Sequence, residues 1–145
     1  SKRGGQTDND RILVMDDEEP MRKLTGEILG RLGYEVALVE NGEKAIECYQ
    51  SAIQSGRPFD VIILDLTIRG GLGGQETIKQ LLRIDPGARA ILSSGYDQDP
   101  VILNYESYGF KGVLIKPFFI DQLMEVLSGV MSTPDRNSEK INRAK

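Results

Sequence analysis

Five short apolar runs constrain this chain more than any other feature: "ILVM" (12–15), "VALV" (36–39), "VIIL" (61–64), "AIL" (90–92) and "VLI" (113–115). Short, continuous runs of this kind suit strands covered on both faces, as in a parallel sheet. Between them lie residues at helical spacing: Met21, Leu24, Ile28 and Leu32; Ala45, Ile46, Tyr49 and Ile53; Ile78, Leu81 and Leu82; Val101, Tyr105 and Tyr108; then Ile120, Leu123, Met124, Leu127 and Met131. Pro20 opens the first helix, and Gly33 and Gly56 follow the ends of the first two. Parallel neighbours need crossover connections, which are right-handed almost without exception. Five strands alternating with five helices therefore predict a doubly wound α/β fold with strand order 2-1-3-4-5 and helices on both faces. Ligands of such sheets collect beyond the carboxyl ends of the strands where the order reverses, here between the first and third strands.

The 145 residues, 39% of them hydrophobic, suit one compact domain. Its expected span is residues 11–131, between a polar, flexible linker (1–10) and a flexible tail (132–145) without periodicity. No apolar run approaches the roughly 18 residues of a membrane span, and the first residues lack the apolar core of a signal peptide. A cytoplasmic location with no membrane contact from this segment is expected. Net charge is −4, without an extended Lys/Arg cluster, which argues against a nucleic-acid surface. The single cysteine, Cys48, builds neither a disulfide framework nor a thiolate metal site and reads as a packing residue. Histidine is absent, which excludes a phosphohistidine carrier, a Ser-His-Asp hydrolase and a His-ligated metal.

The ends of the expected strands carry the chemistry. The first ends in Asp16-Asp17, the third in Asp65, the fourth in Ser93-Ser94 and the fifth in Lys116-Pro117. Singly, each has a structural explanation as a helix cap or a turn. Together they fall on one rim, because the predicted topology sets strands 1, 3, 4 and 5 side by side. Two carboxylates about 5 Å apart repel by roughly 3 kcal/mol at an effective dielectric near 20, so Asp16, Asp17 and Asp65 call for a cation. Oxygen donors without histidine or cysteine favour Mg²⁺, which keeps several waters and leaves room for a phosphate oxygen. Lys116 adds a positive charge, the Ser93 hydroxyl a hydrogen bond, and Asp65 a carboxylate able to attack phosphorus.

In these motifs the chain resembles the receiver domain of two-component response regulators, which has a flavodoxin-like fold. The resemblance runs from about Arg11 to Val130, through "ILVMDDEEPMR", "DVIILDLTIRGG", "AILSSGY" and "GVLIKPF". It implies that Asp65 takes a phosphoryl group from a histidine on a partner kinase or histidine phosphotransfer protein. It further implies that Asp17 and Asp65 bind Mg²⁺ directly, Asp16 mainly through water, and Thr67 through its backbone carbonyl. Ser93 and Lys116 then hold phosphoryl oxygens, and the Lys116-Pro117 bond is expected to be cis. Such a domain is a switch with self-phosphorylation and slow self-dephosphorylation, acting through the face of helix 4, strand 5 and helix 5, possible homodimerisation included. The wording "DLTIRGGLGG", "SSGY" and "GVLIKPF" is most similar to receivers attached to hybrid sensor histidine kinases; a single-domain regulator is the other context.

Two departures stand out. Arg69 occupies the position where the family usually has proline, and "GGLGG" follows it, so a mobile loop is expected. Val113 stands where the family has its switch aromatic. The loop carrying Tyr96 is therefore expected to take over part of the response that accompanies movement of Ser93. A degenerate receiver, acting as a constitutive protein-interaction module, is the competing reading. A dinucleotide or flavin phosphate would be repelled by "DDEEP" after the first strand, and a phosphatase of the haloacid dehalogenase type would need an acid at Thr67.

Overall fold

The computed structural model describes residues 10 to 132. The expected linker and tail lie, apart from Asp10 and Ser132, outside the described residues. The elements are β1 (Arg11–Met15), α1 (Glu19–Arg31), β2 (Glu35–Val39), α2 (Gly42–Gln54), β3 (Val61–Asp65), α3 (Gly74–Ile84), β4 (Ala90–Ser94), α4 (Pro100–Leu103), a 3-10 helix (Tyr105–Tyr108), β5 (Gly112–Ile115) and α5 (Ile120–Met131). All strand pairs are parallel and the order is β2-β1-β3-β4-β5, as the sequence predicts.

Side chains alternate across each strand, so the continuous apolar runs feed two cores. Leu13, Met15, Ile62, Leu64, Ala90 and Leu92 meet Ala45 and Tyr49 of α2 and Ile78 and Leu81 of α3. Ile12, Val14, Val61, Ile63, Ile91 and Leu114 meet Leu29 of α1 and Leu123, Leu127 and Val130 of α5. Every residue of β3 and β4 is buried, and these two strands carry Asp65 and the serine pair. Their carboxyl ends are thus mounted on the best-packed part of the molecule.

Local chemistry sets the helix limits. Asn41 caps α2 by accepting a hydrogen bond from the Lys44 N–H at 2.9 Å. Pro20 lies in the first turn of α1, and Gly33 and Gly56 have φ of 98° and 80°, the left-handed conformation that closes a helix.

Two expectations are corrected. The face of α1 turned to the core centres on Thr25 and Leu29, while Leu24 is 50% exposed; the polar Thr25 conceals the seam in the sequence. The expected helix through Val101, Tyr105 and Tyr108 is instead one turn of α-helix followed by the 3-10 segment. At the break the Asn104 side chain donates to the Pro100 carbonyl at 2.9 Å, and the Ser107 hydroxyl to the Asn104 carbonyl at 2.8 Å. Such local side-chain bonds compete with continued α-helix. Among the described residues no helix is long and apolar enough to cross a membrane.

Candidate functional site

Asp65 ends β3, Asp16 directly follows β1, and Lys116 directly follows β5. The ladder extends into the last two: the Asp16 N–H donates to the Val39 carbonyl at 3.1 Å and the Lys116 N–H to the Ser94 carbonyl at 2.7 Å. This backbone pairing aims the three side chains at one point. The Lys116 ammonium donates to Asp65 Oδ2 at 3.0 Å and to Asp16 Oδ2 at 3.3 Å. Asp16, Asp17 and Asp65 each bring one carboxylate oxygen within 4.8 Å of the others. The Lys116-Pro117 peptide bond is cis, as expected.

Among the described residues Lys116 is the cation paired with these carboxylates, and the proton affinities of the group reflect the crowding of negative charge. Asp65, only 4% exposed, has its pKa raised from 3.8 to about 6: burial is the main cause, the Asp16 charge adds to it, and Lys116 and the Thr67 N–H counter it. For Lys116 burial works against the charged form, but the bonds and charges of Asp65 and Asp16 outweigh it, and its pKa is raised. The residual negative charge favours a further cation.

The donors suit Mg²⁺. All three are carboxylates, the chain has no histidine, and Cys48 lies elsewhere, against the α2 core. Asp16 is largely engaged: one oxygen accepts from the Glu18 N–H at 2.9 Å and the other from Lys116. Asp17 and Asp65 line a cleft of about 370 Å³, with Glu18, Thr67, Arg69, Ser94 and Lys116 among the other wall residues. The carboxylates that face the cleft are therefore Asp17 and Asp65, and Asp16 is not among its wall residues.

The loop between β3 and α3 is held rather than loose. The Thr67 N–H donates to Asp65 Oδ1 at 3.3 Å and the Arg69 N–H to Asp17 Oδ2 at 3.0 Å. A Cβ at Gly74 would lie 2.8 Å from the Asp65 carbonyl oxygen, so the missing side chain permits close approach to the strand. Gly71, Gly73 and Gly74 are used for close approach, while Gly70 takes a positive φ of 73° with open space beside it.

Of the two serines, both buried, the second lines the cleft. Ser93 pairs with Asp65 in the ladder and is 4% exposed, but the cleft wall contains Ser94 and Gly95 and not Ser93. Ser94 stands where β4 gives way to the loop, and its Oγ accepts from the Tyr96 N–H at 3.1 Å. The glycine after it was the available signal, since it marks where the chain leaves the sheet. Tyr96 is 60% exposed, and Val113 pairs with Leu92 and packs on the α2–α3 core. Arg22, the last residue of "ILVMDDEEPMR", donates to the Asp16 carbonyl at 2.8 Å and ties α1 to the acidic pair.

With this geometry in hand, comparison with known proteins is decisive at the level of the family. The profile of the response regulator receiver domain matches residues 12–128. The chain is 32% identical over 121 residues to a chemotaxis protein CheY of Thermotoga maritima, covering 83% of this chain and 96% of that one. It is 29% identical to sporulation initiation phosphotransferase F of Bacillus subtilis, over 82% of this chain and 91% of that one. Among solved structures it is similar to response regulator protein TrrA of Thermotoga maritima in complex with Mg²⁺-BeF, with a TM-score of 0.72, 30% identity, and coverage of 83% and 98% of the two chains. The fold and the rim of strand-end acids and lysine define a doubly wound signalling module. The chain belongs to the response regulator receiver domain family of two-component signal transduction.

Proposed function

We propose that this receiver accepts a phosphoryl group onto Asp65 from a phosphohistidine of a partner histidine kinase or histidine phosphotransfer protein. The P–N bond to the imidazole breaks, the imidazole nitrogen keeps the electron pair, and a P–O bond forms to an Asp65 carboxylate oxygen. The observation that carries this reading is Lys116 bonded to both Asp65 and Asp16 beside a cleft that admits a donor to Asp65. The buried carboxylate is held rigidly on β3, so little orientational entropy remains to be lost at reaction. Lys116 can leave its ground-state bond to Asp65 Oδ2 for a phosphoryl oxygen, where negative charge accumulates.

Ser94, on the cleft wall, takes the hydroxyl role in place of Ser93. Asp17, Asp65 and the Thr67 carbonyl would hold Mg²⁺, with Asp16 behind them. Bound there, the metal supplies charge neutralisation for the acids and the incoming phosphoryl oxygens. Movement of Ser94 toward the phosphoryl group would break its bond to the Tyr96 N–H. The Tyr96 loop is thus the proposed reporter of phosphorylation in a chain with Val113 in the aromatic's place. A cytoplasmic receiver attached to a hybrid sensor histidine kinase is the context that the wording of the phosphoacceptor, serine and lysine motifs favours over a single-domain regulator.

Incubation with Mg²⁺ and phosphoramidate or acetyl phosphate, read by intact mass, tests the central step. One phosphoryl adduct is expected on the native chain and none on Asp65→Asn. Absence of an adduct on both would support the constitutive interaction module instead. Turnover of a small phosphoester by the native chain with Mg²⁺ would point to a hydrolase, and undetectable turnover beside ready labelling of Asp65 would dispose of that reading.

A further inference from the structure

We infer that Glu43, at the start of α2, is a positioning residue for the phosphoacceptor loop, an inference that rests on the proposed chemistry at Asp65. The loop from Leu66 to Gly73 touches the acids at its inner end, through the Thr67 and Arg69 N–H groups. Its outer end is fastened to α2 from both sides of one residue. The Leu72 N–H donates to Glu43 Oε1 at 3.0 Å, and the Leu72 carbonyl accepts from the Gly42 N–H at 2.9 Å. Space is made for this clasp: a Cβ at Gly42 would fall 2.0 Å from Thr77 Oγ1 and 2.6 Å from Leu72 Cβ. The Glu43 carboxyl is held below its ordinary range, first of all by the bond from Leu72, so the acceptor is ionised at neutral pH.

The mechanical consequence follows from the length of the segment. Arg69, whose N–H fixes Asp17, is three residues from Leu72, and Gly70 and Gly71 lie between them. With only the Gly42 bond left at Leu72, that glycine-containing stretch would sample more conformations, and the Arg69 N–H would leave Asp17 part of the time. Asp17 would then lose the contact that orients its carboxylate toward the metal position, as happens when the partner of a metal ligand is removed. Glu43 touches neither donor nor metal; it acts through Leu72, Arg69 and Asp17.

The test compares native chain, Glu43→Ala and Glu43→Gln, since glutamine keeps an oxygen acceptor for the Leu72 N–H without the charge. Three quantities are read: exchange of the Leu72 amide with solvent deuterium, Mg²⁺ affinity by calorimetry, and the rate of phosphoryl uptake from phosphoramidate. Glu43→Ala should expose the Leu72 amide and weaken Mg²⁺ binding about threefold to tenfold, with a matching slowing of uptake, and Glu43→Gln should recover most of both. Native affinity and native uptake rate in Glu43→Ala would overturn the inference, as would a Glu43→Gln variant no better than Glu43→Ala. If the native chain takes up no phosphoryl group, the proposed function fails, while the amide exchange and Mg²⁺ affinities still decide the role of Glu43.

Discussion

Replacing Asp65 by asparagine should make the metal-free protein more stable at neutral pH. Asp65 has its pKa raised from 3.8 to about 6 on folding, and each unit corresponds to about 1.36 kcal/mol. The difference of about 2 units therefore amounts to roughly 3 kcal/mol of cost for carrying the charge. The group is only 4% exposed, so solvent screens little of this. The sign follows from the direction of the shift: the folded state binds the proton more tightly than the unfolded one. The contribution of Asp65 to stability is fully present below about pH 4 and is lost as pH rises through about 6. Asparagine cannot ionise and keeps what the native chain loses. In EDTA, urea unfolding followed by far-ultraviolet circular dichroism should place Asp65→Asn about 2 to 3 kcal/mol above the native chain at pH 7.5, with the curves converging near pH 4. Mg²⁺ should then close the gap, because a ligand at 100 times its Kd adds about 2.7 kcal/mol to the state that binds it. A variant less stable than native at pH 7.5 in EDTA, or a gap of equal size at both pH values, would refute the reasoning.

Lys116→Met removes the cation that competes with a metal for Asp65 and Asp16; calorimetric titration should show Mg²⁺ binding about tenfold tighter, while phosphoryl uptake falls on the order of a hundredfold. Ser94→Ala should slow uptake from phosphoramidate about tenfold or more, with Ser93→Ala near native; the reverse order would return the hydroxyl role to Ser93. The Tyr49 hydroxyl donates to Asp85 Oδ2 at 2.6 Å, and its pKa is raised chiefly by burial and then by that bond. The native chain should therefore lose stability as pH rises above about 10, and Tyr49→Phe should flatten that decline in alkaline denaturation curves.

The sheet was legible because its signal is redundant. Each of β1, β3 and β4 is built on a continuous apolar run, and alternation divides each run between the two cores, so no single residue decides the assignment. Helices were less secure where one residue carries the answer. In α1, "MRKLTGEILGRL" supports a seam through Leu24 as readily as one through Leu29, and the choice turns on Thr25, a polar residue that the fold buries. Around Tyr105 and Tyr108 the spacing of three residues fits one face of an α-helix, but it is also the period of a 3-10 helix. Only the side-chain bonds of Asn104 and Ser107 distinguish the two, and these are settled in three dimensions.

At the site the same distinction separates acids from hydroxyl and latch. Asp16, Asp65 and Lys116 lie where strands end, and topology alone carries strand ends to a common rim; an error of one residue in a boundary would not scatter them. The hydroxyl tolerates no such error, because Ser93 and Ser94 differ by one step along β4, and that step decides between a ladder position beside Asp65 and the cleft wall. Glu43 and Leu72 are 29 residues apart and leave no local pattern, since their bond exists only once α2 and α3 have packed together. The charge cluster explains why the latch matters. Repulsion among the acids is what makes the site attract a metal, and it also pushes Asp17 away from the position in which it can bind one. The backbone of β3 fixes Asp65 against that push; Asp17, beyond the end of β1, has the Arg69 N–H, and Arg69 in turn depends on how firmly α2 holds Leu72.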